Sequence, residues 1–155
     1  MRERKQGSLL EADAEALVNT VNCVGVMGKG VALQFKRAFP DNFREYKRAC
    51  RAEEVHPGAM HIFDRGALFP PRYIINFPTK RHWKGRSRIE DIHSGLAALM
   101  EEVRRLGIGS IAVPALGCGN GGLDWAEVRP LIESAFAAVP DVRLLLYAPD
   151  GTPAA

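Results

Sequence analysis

A chain of 155 residues is long enough for one domain that buries ~70% of its unfolded surface without disulfides or metals, and 46% hydrophobic with 25% charged residues is ordinary for a soluble globular protein. No apolar run approaches the ~20 residues of a bilayer span, and Met1-Arg2-Glu3-Arg4-Lys5 leads into no signal-peptide core, which argues against a membrane protein. Three cysteines (Cys23, Cys50, Cys118) without zinc-like spacing read as reduced and cytosolic, and a formal charge of +3 says nothing about nucleic acid until its distribution is known.

In chain order, Arg2–Gln6 can form a short edge strand before the Gly7-Ser8 turn and the pair Leu9-Leu10. Acidic Glu11–Glu15 turns the chain into an apolar strand, Ala16–Val21. After a glycine-rich loop, Val31, Leu33, Phe35, Ala38 and Phe39 have helical spacing that stops at Pro40. Asp41 is expected to cap a second helix, Asn42–Arg51, with Phe43, Tyr46 and Cys50 on one face. His56-Pro57-Gly58 is a turn, and strands are expected at Ala59–Phe63 and Arg72–Phe77. A polar, basic loop follows from Thr79 to Arg88. Ile92, Leu96, Leu99, Val103 and Leu106 then mark a helix, Ile89–Leu106, closed by Gly107. Ile108–Val113 reads as a buried strand, Asp124 as the cap of a helix Trp125–Val139, and Val142–Tyr147 as the last strand. The alternation predicts one α/β domain over 1–149, a three-layer α/β/α sandwich on a mixed, mainly parallel sheet, with 150–155 as a flexible tail.

Two loops share one design. Asn19 to Gly30 leaves a strand, passes through glycines and opens a helix, and Pro114 to Gly122 follows another strand with four glycines. Glycine admits a ligand close to the backbone, and the free N–H groups of a first helical turn attract anions, so two such loops suggest an extended phosphate group between them. Asn22 has two readings, a hydrogen bond to a ribose hydroxyl or an asparagine turn that satisfies its own loop. Lys29 either neutralises phosphate or is solvated. Gly117, Gly119 and Gly122 match the dinucleotide pattern G-x-G-x-x-G, but the acidic residue expected at the end of the next strand is missing, as is chain for a second half-sheet.

Between Lys80 and Arg88 lie five basic residues and no acidic one, with His82 and Trp83 interleaved. Cations beside stacking rings suit single-stranded nucleic acid, and a solvated loop is the competing reading. Lys80 is distinct because it follows a strand end and so faces the phosphate loops, where burial near other cations can lower its pKa. No pair of carboxylates of glycosidase type is evident, and the four histidines show no metal spacing. Neither a metal nor a cofactor is expected.

These residues resemble the macrodomain family, ADP-ribose-binding α/β/α modules. The resemblance rests on Gly7-Ser8-Leu9-Leu10, on Val21-Asn22-Cys23 running into Gly25–Ala32, and on Pro114–Gly119. Asn76-Phe77-Pro78-Thr79-Lys80 joined to Gly28-Lys29-Gly30 and Gly117-Cys118-Gly119 is most similar to the antitoxin branch that removes ADP-ribose from thymidine in single-stranded DNA. The resemblance implies a partner DNA ADP-ribosyltransferase toxin, a monomer and a catalytic Lys80. It further implies ADP-ribose contacts from Ser8, Leu9, Asn22, Val26, Met27, Gly28, Lys29 and Gly30, and from Pro114, Leu116, Gly117, Cys118, Gly119, Asn120, Gly121 and Tyr147. Arg81, His82, Trp83, Lys84 and Arg86 would meet nucleic acid. Two departures stand out. Many macrodomains hold the adenine amino group with an aspartate where this chain has Ser8, so adenine is expected to stack, on Tyr147. Related glycohydrolases pair their lysine with an aspartate just after Gly-Cys-Gly, where Asn120 and Gly121 stand here. The alternatives are a non-catalytic ADP-ribose reader, a protein ADP-ribose glycohydrolase and a nicotinamide-dependent oxidoreductase.

Overall fold

A computed structural model describes residues 2–149. Six strands form one sheet in the order β1 (Arg2–Lys5), β6 (Arg143–Tyr147), β5 (Ser110–Val113), β2 (Ala16–Val21), β4 (Tyr73–Pro78) and β3 (His61–Asp64). All neighbours are parallel except β3 and β4, so the sheet is mixed and mainly parallel. Four helices cover it: α1 (Gly30–Ala38), α2 (Pro40–Arg51), α3 (Ile89–Leu106) and α4 (Trp125–Ala137). The tail expected over 150–155 lies outside the described residues.

Strand alternation divides the core. Ala16 and Val18 of β2 pack with Ile92 and Leu99 of α3 and with Val128 and Ile132 of α4. Leu17 turns to the opposite face, with Leu9 and Phe35 of α1, while Val21 meets Tyr46 and Ala49 of α2. The period of two in the strand and the spacing of three and four in each helix give every layer one apolar side. Gly95 lets α3 lie against the Phe77 ring, since a Cβ there would come within 2.4 Å of it.

One expectation needs correction. Asp41 does not cap α2: Pro40 is its first residue and Phe39 its N-cap, because proline's fixed φ and missing N–H suit the first helical position. Asp41 lies in the first turn and pairs with Arg44. The Rossmann-like glycines of 117–122 form a one-turn 3-10 segment at Gly119–Gly121, and the helix begins where expected, at Trp125, capped by Asp124 Oδ1 accepting from Ala126 N at 2.9 Å.

Beneath the sheet's α1/α2 face lies a buried polar cluster. Asn76 of β4 exchanges hydrogen bonds with Asn42 of α2 (2.8 and 3.3 Å) and accepts one from Asn19 of β2 at 3.3 Å. Its Nδ2 also lies 2.9 Å from His61 Nδ1, and burial lowers the His61 pKa, keeping that nitrogen an acceptor. Asn19 Nδ2 reaches Met27 Sδ at 3.8 Å, which ties the first glycine loop to the strands.

Candidate functional site

β2 sends the chain to helices on one face, whereas β5, its neighbour, leads to α4 on the other. A crevice therefore opens at their carboxyl ends, where open α/β sheets place ligands. It encloses about 1,110 Å³. Its walls include Ser8, Leu9, Asn22, Val26, Gly28, Lys29, Gly30, Pro114, Gly117, Cys118, Gly119, Asn120, Gly121 and Tyr147, together with Lys80, Trp83, Lys84 and Arg86. Met27, Leu116, Arg81 and His82 do not line it. Met27 and Leu116 are apolar side chains sealed into the core, 1% and 0% exposed. Sequence reasoning passed over Thr20, Thr79, Gln34, Ala148 and Pro149, which also line the cavity. Gln34 was findable, being four residues after Gly30 on the same helical face.

In the first loop Asn22 does the bracing. Its Oδ1 accepts from Val24 N at 3.1 Å and Val26 N at 3.3 Å, and its Nδ2 donates to Val26 O at 2.7 Å. The Tyr46 hydroxyl lies 2.7 Å from the Asn22 carbonyl oxygen and 2.8 Å from Oδ1, so one proton serves both acceptors. Of the two readings of Asn22, the loop turn is the one these bonds describe, and one Nδ2 proton remains for a ligand. The loop then delivers Lys29 and the open N–H groups of α1 to the cavity.

The second loop is fitted by shape. Gly117 has φ +74, and a Cβ there would come within 2.6 Å of Leu123 Cδ1. A Cβ on Gly121 would lie 2.4 Å from Ser87 Oγ, while Ser87 N donates to Gly121 O at 2.9 Å. Arg86 donates to Gly122 O at 3.2 Å, so the basic loop is fastened to the second glycine loop.

Lys80 leaves β4 with its side chain half-buried and its Nζ 3.5 Å from Trp83 O. Burial, and then the charge of Lys29, hold its pKa below the ordinary lysine value of 10.5. Lys29, Lys80, Lys84 and Arg86 all line the crevice, and no aspartate or glutamate does so among the described residues. Trp83 is 45% exposed, stacks on His82 with centroids 5.5 Å apart, and carries Lys84 Nζ 4.9 Å from its ring centre. Arg81 is turned away: its guanidinium donates to both carboxylate oxygens of Asp91 at 3.2 and 3.3 Å. A cavity of this size, with glycine turns on two sides and only cations among its charged groups, is built for an elongated anion. Among the described residues no three His, Cys, Asp or Glu side chains come together as metal ligands.

The Macro domain family model matches residues 18–132, and the chain belongs to that family. Its relatives narrow the comparison. A DNA ADP-ribosyl glycohydrolase of Mycobacterium tuberculosis is 55% identical over 145 residues, covering 94% of this chain and 41% of that protein. The chain thus spans about two-fifths of the length of that curated relative. The solved macrodomain of Mycobacterium tuberculosis DarG superposes with a TM-score of 0.96 at 53% identity, covering 97% of this chain and 99% of that one. Thermosipho africanus DarTG, solved in complex with ADP-ribose, gives a TM-score of 0.88 at 36% identity over 96% of this chain and 42% of its own.

Proposed function

We propose that this chain is a DNA ADP-ribosyl glycohydrolase that releases ADP-ribose from modified thymidine in single-stranded DNA, as antitoxin to a DNA ADP-ribosyltransferase. The observation that carries the reading is Lys80, a half-buried amine of lowered pKa at the junction of the two glycine loops and the basic aromatic loop. The DNA ADP-ribosyl glycohydrolase of Mycobacterium tuberculosis and Thermosipho africanus DarTG, solved with ADP-ribose, point the same way.

The two loops and the N-terminus of α1 hold the diphosphate, the free Nδ2 proton of Asn22 meets the distal ribose, and adenine stacks by Tyr147. Trp83, Lys84 and Arg86 take the flanking strand, base by stacking and phosphate by charge. Rupture of the bond between the ribose anomeric carbon and the thymine nitrogen sends an electron pair to the base. The Lys80 ammonium donates a proton to the departing base. Water then bonds to the anomeric carbon, and solvent takes its surplus proton and returns one to Lys80. With no carboxylate lining the cavity among the described residues to resolve a lysine–sugar adduct, the acid role is the better supported one. Borohydride trapping of such an adduct would overturn it.

Release of ADP-ribose from an ADP-ribosylated oligonucleotide, measured beside an ADP-ribosylated protein, tests the substrate. Lys80→Ala should slow release by on the order of a thousandfold while free ADP-ribose still binds. Full turnover by that variant would move the chemistry elsewhere. No turnover by the unaltered protein, with tight ADP-ribose binding, would favour the reader alternative.

A further inference from the structure

We propose that Asp91, on the first turn of α3, is a positioning residue for Lys80, acting through the Arg81 guanidinium to fix the segment that presents the amine. The inference rests on the catalytic reading of Lys80 given above.

Lys80 stands on a loop that has just left the sheet, and a four-carbon side chain on a free loop would wander. The main chain is pinned on one side by Val21 O, which accepts from Thr79 N at 2.9 Å and Lys80 N at 3.4 Å. On the next residue, Arg81 O accepts from Cys23 N at 3.3 Å. The Cys23 thiol donates to Lys80 O at 3.5 Å, and burial pushes its pKa up to about 11, so it keeps the proton that it donates. These contacts fix the strap relative to the end of β2 and the start of the loop that follows it. The Arg81–Asp91 fork is a link that also ties it to α3. Asp91 is only 6% exposed, whereas the Arg81 side chain is 55% exposed, so the helix supplies the anchor and the arginine reaches in to it. A paired fork fixes two directions at once, which a single hydrogen bond does not. Asp91 donates its backbone N–H to Arg88 O at 3.0 Å, and no side-chain cap at this helix start competes for its carboxylate.

Displacement of a reacting group by about 1 Å can cost on the order of a hundredfold in rate without touching affinity. Asp91→Asn should therefore lower kcat on an ADP-ribosylated thymidine oligonucleotide by roughly ten- to a hundredfold, with the Kd for free ADP-ribose unchanged. Arg81→Ala, which leaves the Asp91 carboxylate without its partner, should give the same split in protein that urea unfolding shows to be folded. The double variant should be no slower than the worse single one, because both remove one link. Asp91→Glu should recover part of the rate. Wild-type kcat in Asp91→Asn or Arg81→Ala, multiplicative losses in the double variant, or a loss that appears as weaker ADP-ribose binding would each overturn the role. Lys80→Ala in the same assay separates the two ideas. If it is inactive while Asp91→Asn is unimpaired, only the positioning role fails. If it is fully active, the assignment of Lys80 fails first.

Discussion

Two loops that look alike in sequence are supported by opposite means. The first, from Asn22 to Gly30, is held from within by one amide side chain, which satisfies the loop's own N–H groups and is itself steadied by Tyr46. The second, from Pro114 to Gly122, is held by its own backbone hydrogen bonds and from outside: Arg86 donates to Gly122 O, and Leu123, Ser87 and Arg86 press against Gly117, Gly121 and Gly122, which leave no room for a Cβ. Polar bracing tolerates a change of volume and fails on loss of an acceptor, while steric fit does the reverse. A glycine pattern reports that the backbone comes close to something, and says nothing of what holds it there.

The sharpest test of the contrast is Gly117→Ala. A side chain at φ +74 that also strikes Leu123 should lower stability by about 3 kcal/mol, read by urea unfolding, and should weaken ADP-ribose binding in titration calorimetry. A neutral result would mean that the second loop adapts and the comparison is false. Next in size, Asn22→Ala should cost about 2 kcal/mol and loosen the first loop to hydrogen exchange, and Tyr46→Phe about 1 kcal/mol, each measured by the same unfolding. Ser87→Ala should leave stability equal or higher by up to about 1 kcal/mol, because the buried Ser87 hydroxyl has no partner among the described residues. A large loss there would show that the hydroxyl, and not shape, secures the second loop.

The smallest effect on stability, and the most informative on rate, belongs to Lys29. In the acid role Lys80 works protonated, so turnover should fall as pH rises through its pKa, which lies below 10.5. The charge of Lys29 disfavours that proton, so Lys29→Met should raise the pKa and move the descending limb to higher pH. A pH–rate profile of both proteins reads the shift. A limb that rises with pH would indicate attack by the neutral amine.

Much of the fold is legible in the residues because each helix and strand repeats its apolar signal many times. The strand Ala16–Val21 and the helix Ile89–Leu106 have the bounds their patterns predict. The placing of both glycine loops on one rim follows from their position after parallel strands. What is not legible depends on partners distant in sequence. Arg81 reads as a free cation because its partner Asp91 lies ten positions on, across a loop and into a helix. Met27 reads as part of a ligand loop, yet its thioether turns inward to Asn19. The cluster of Asn19, Asn42, Asn76 and His61 draws on four separate elements, and no local spacing announces it. The start of α2 at Pro40 was open to a different reading, since a proline that ends one helix is equally suited to begin the next.

A crevice whose charged walls, among the described residues, are all of one sign also governs departure. On the proposed reading the released ADP-ribose still carries its diphosphate, and that group has lost none of its attraction for the walls. Unloading should therefore compete with chemistry as the slow event, and small inorganic anions should act twice, hastening exit and crowding entry. Turnover plotted against ionic strength should on this account pass through a maximum.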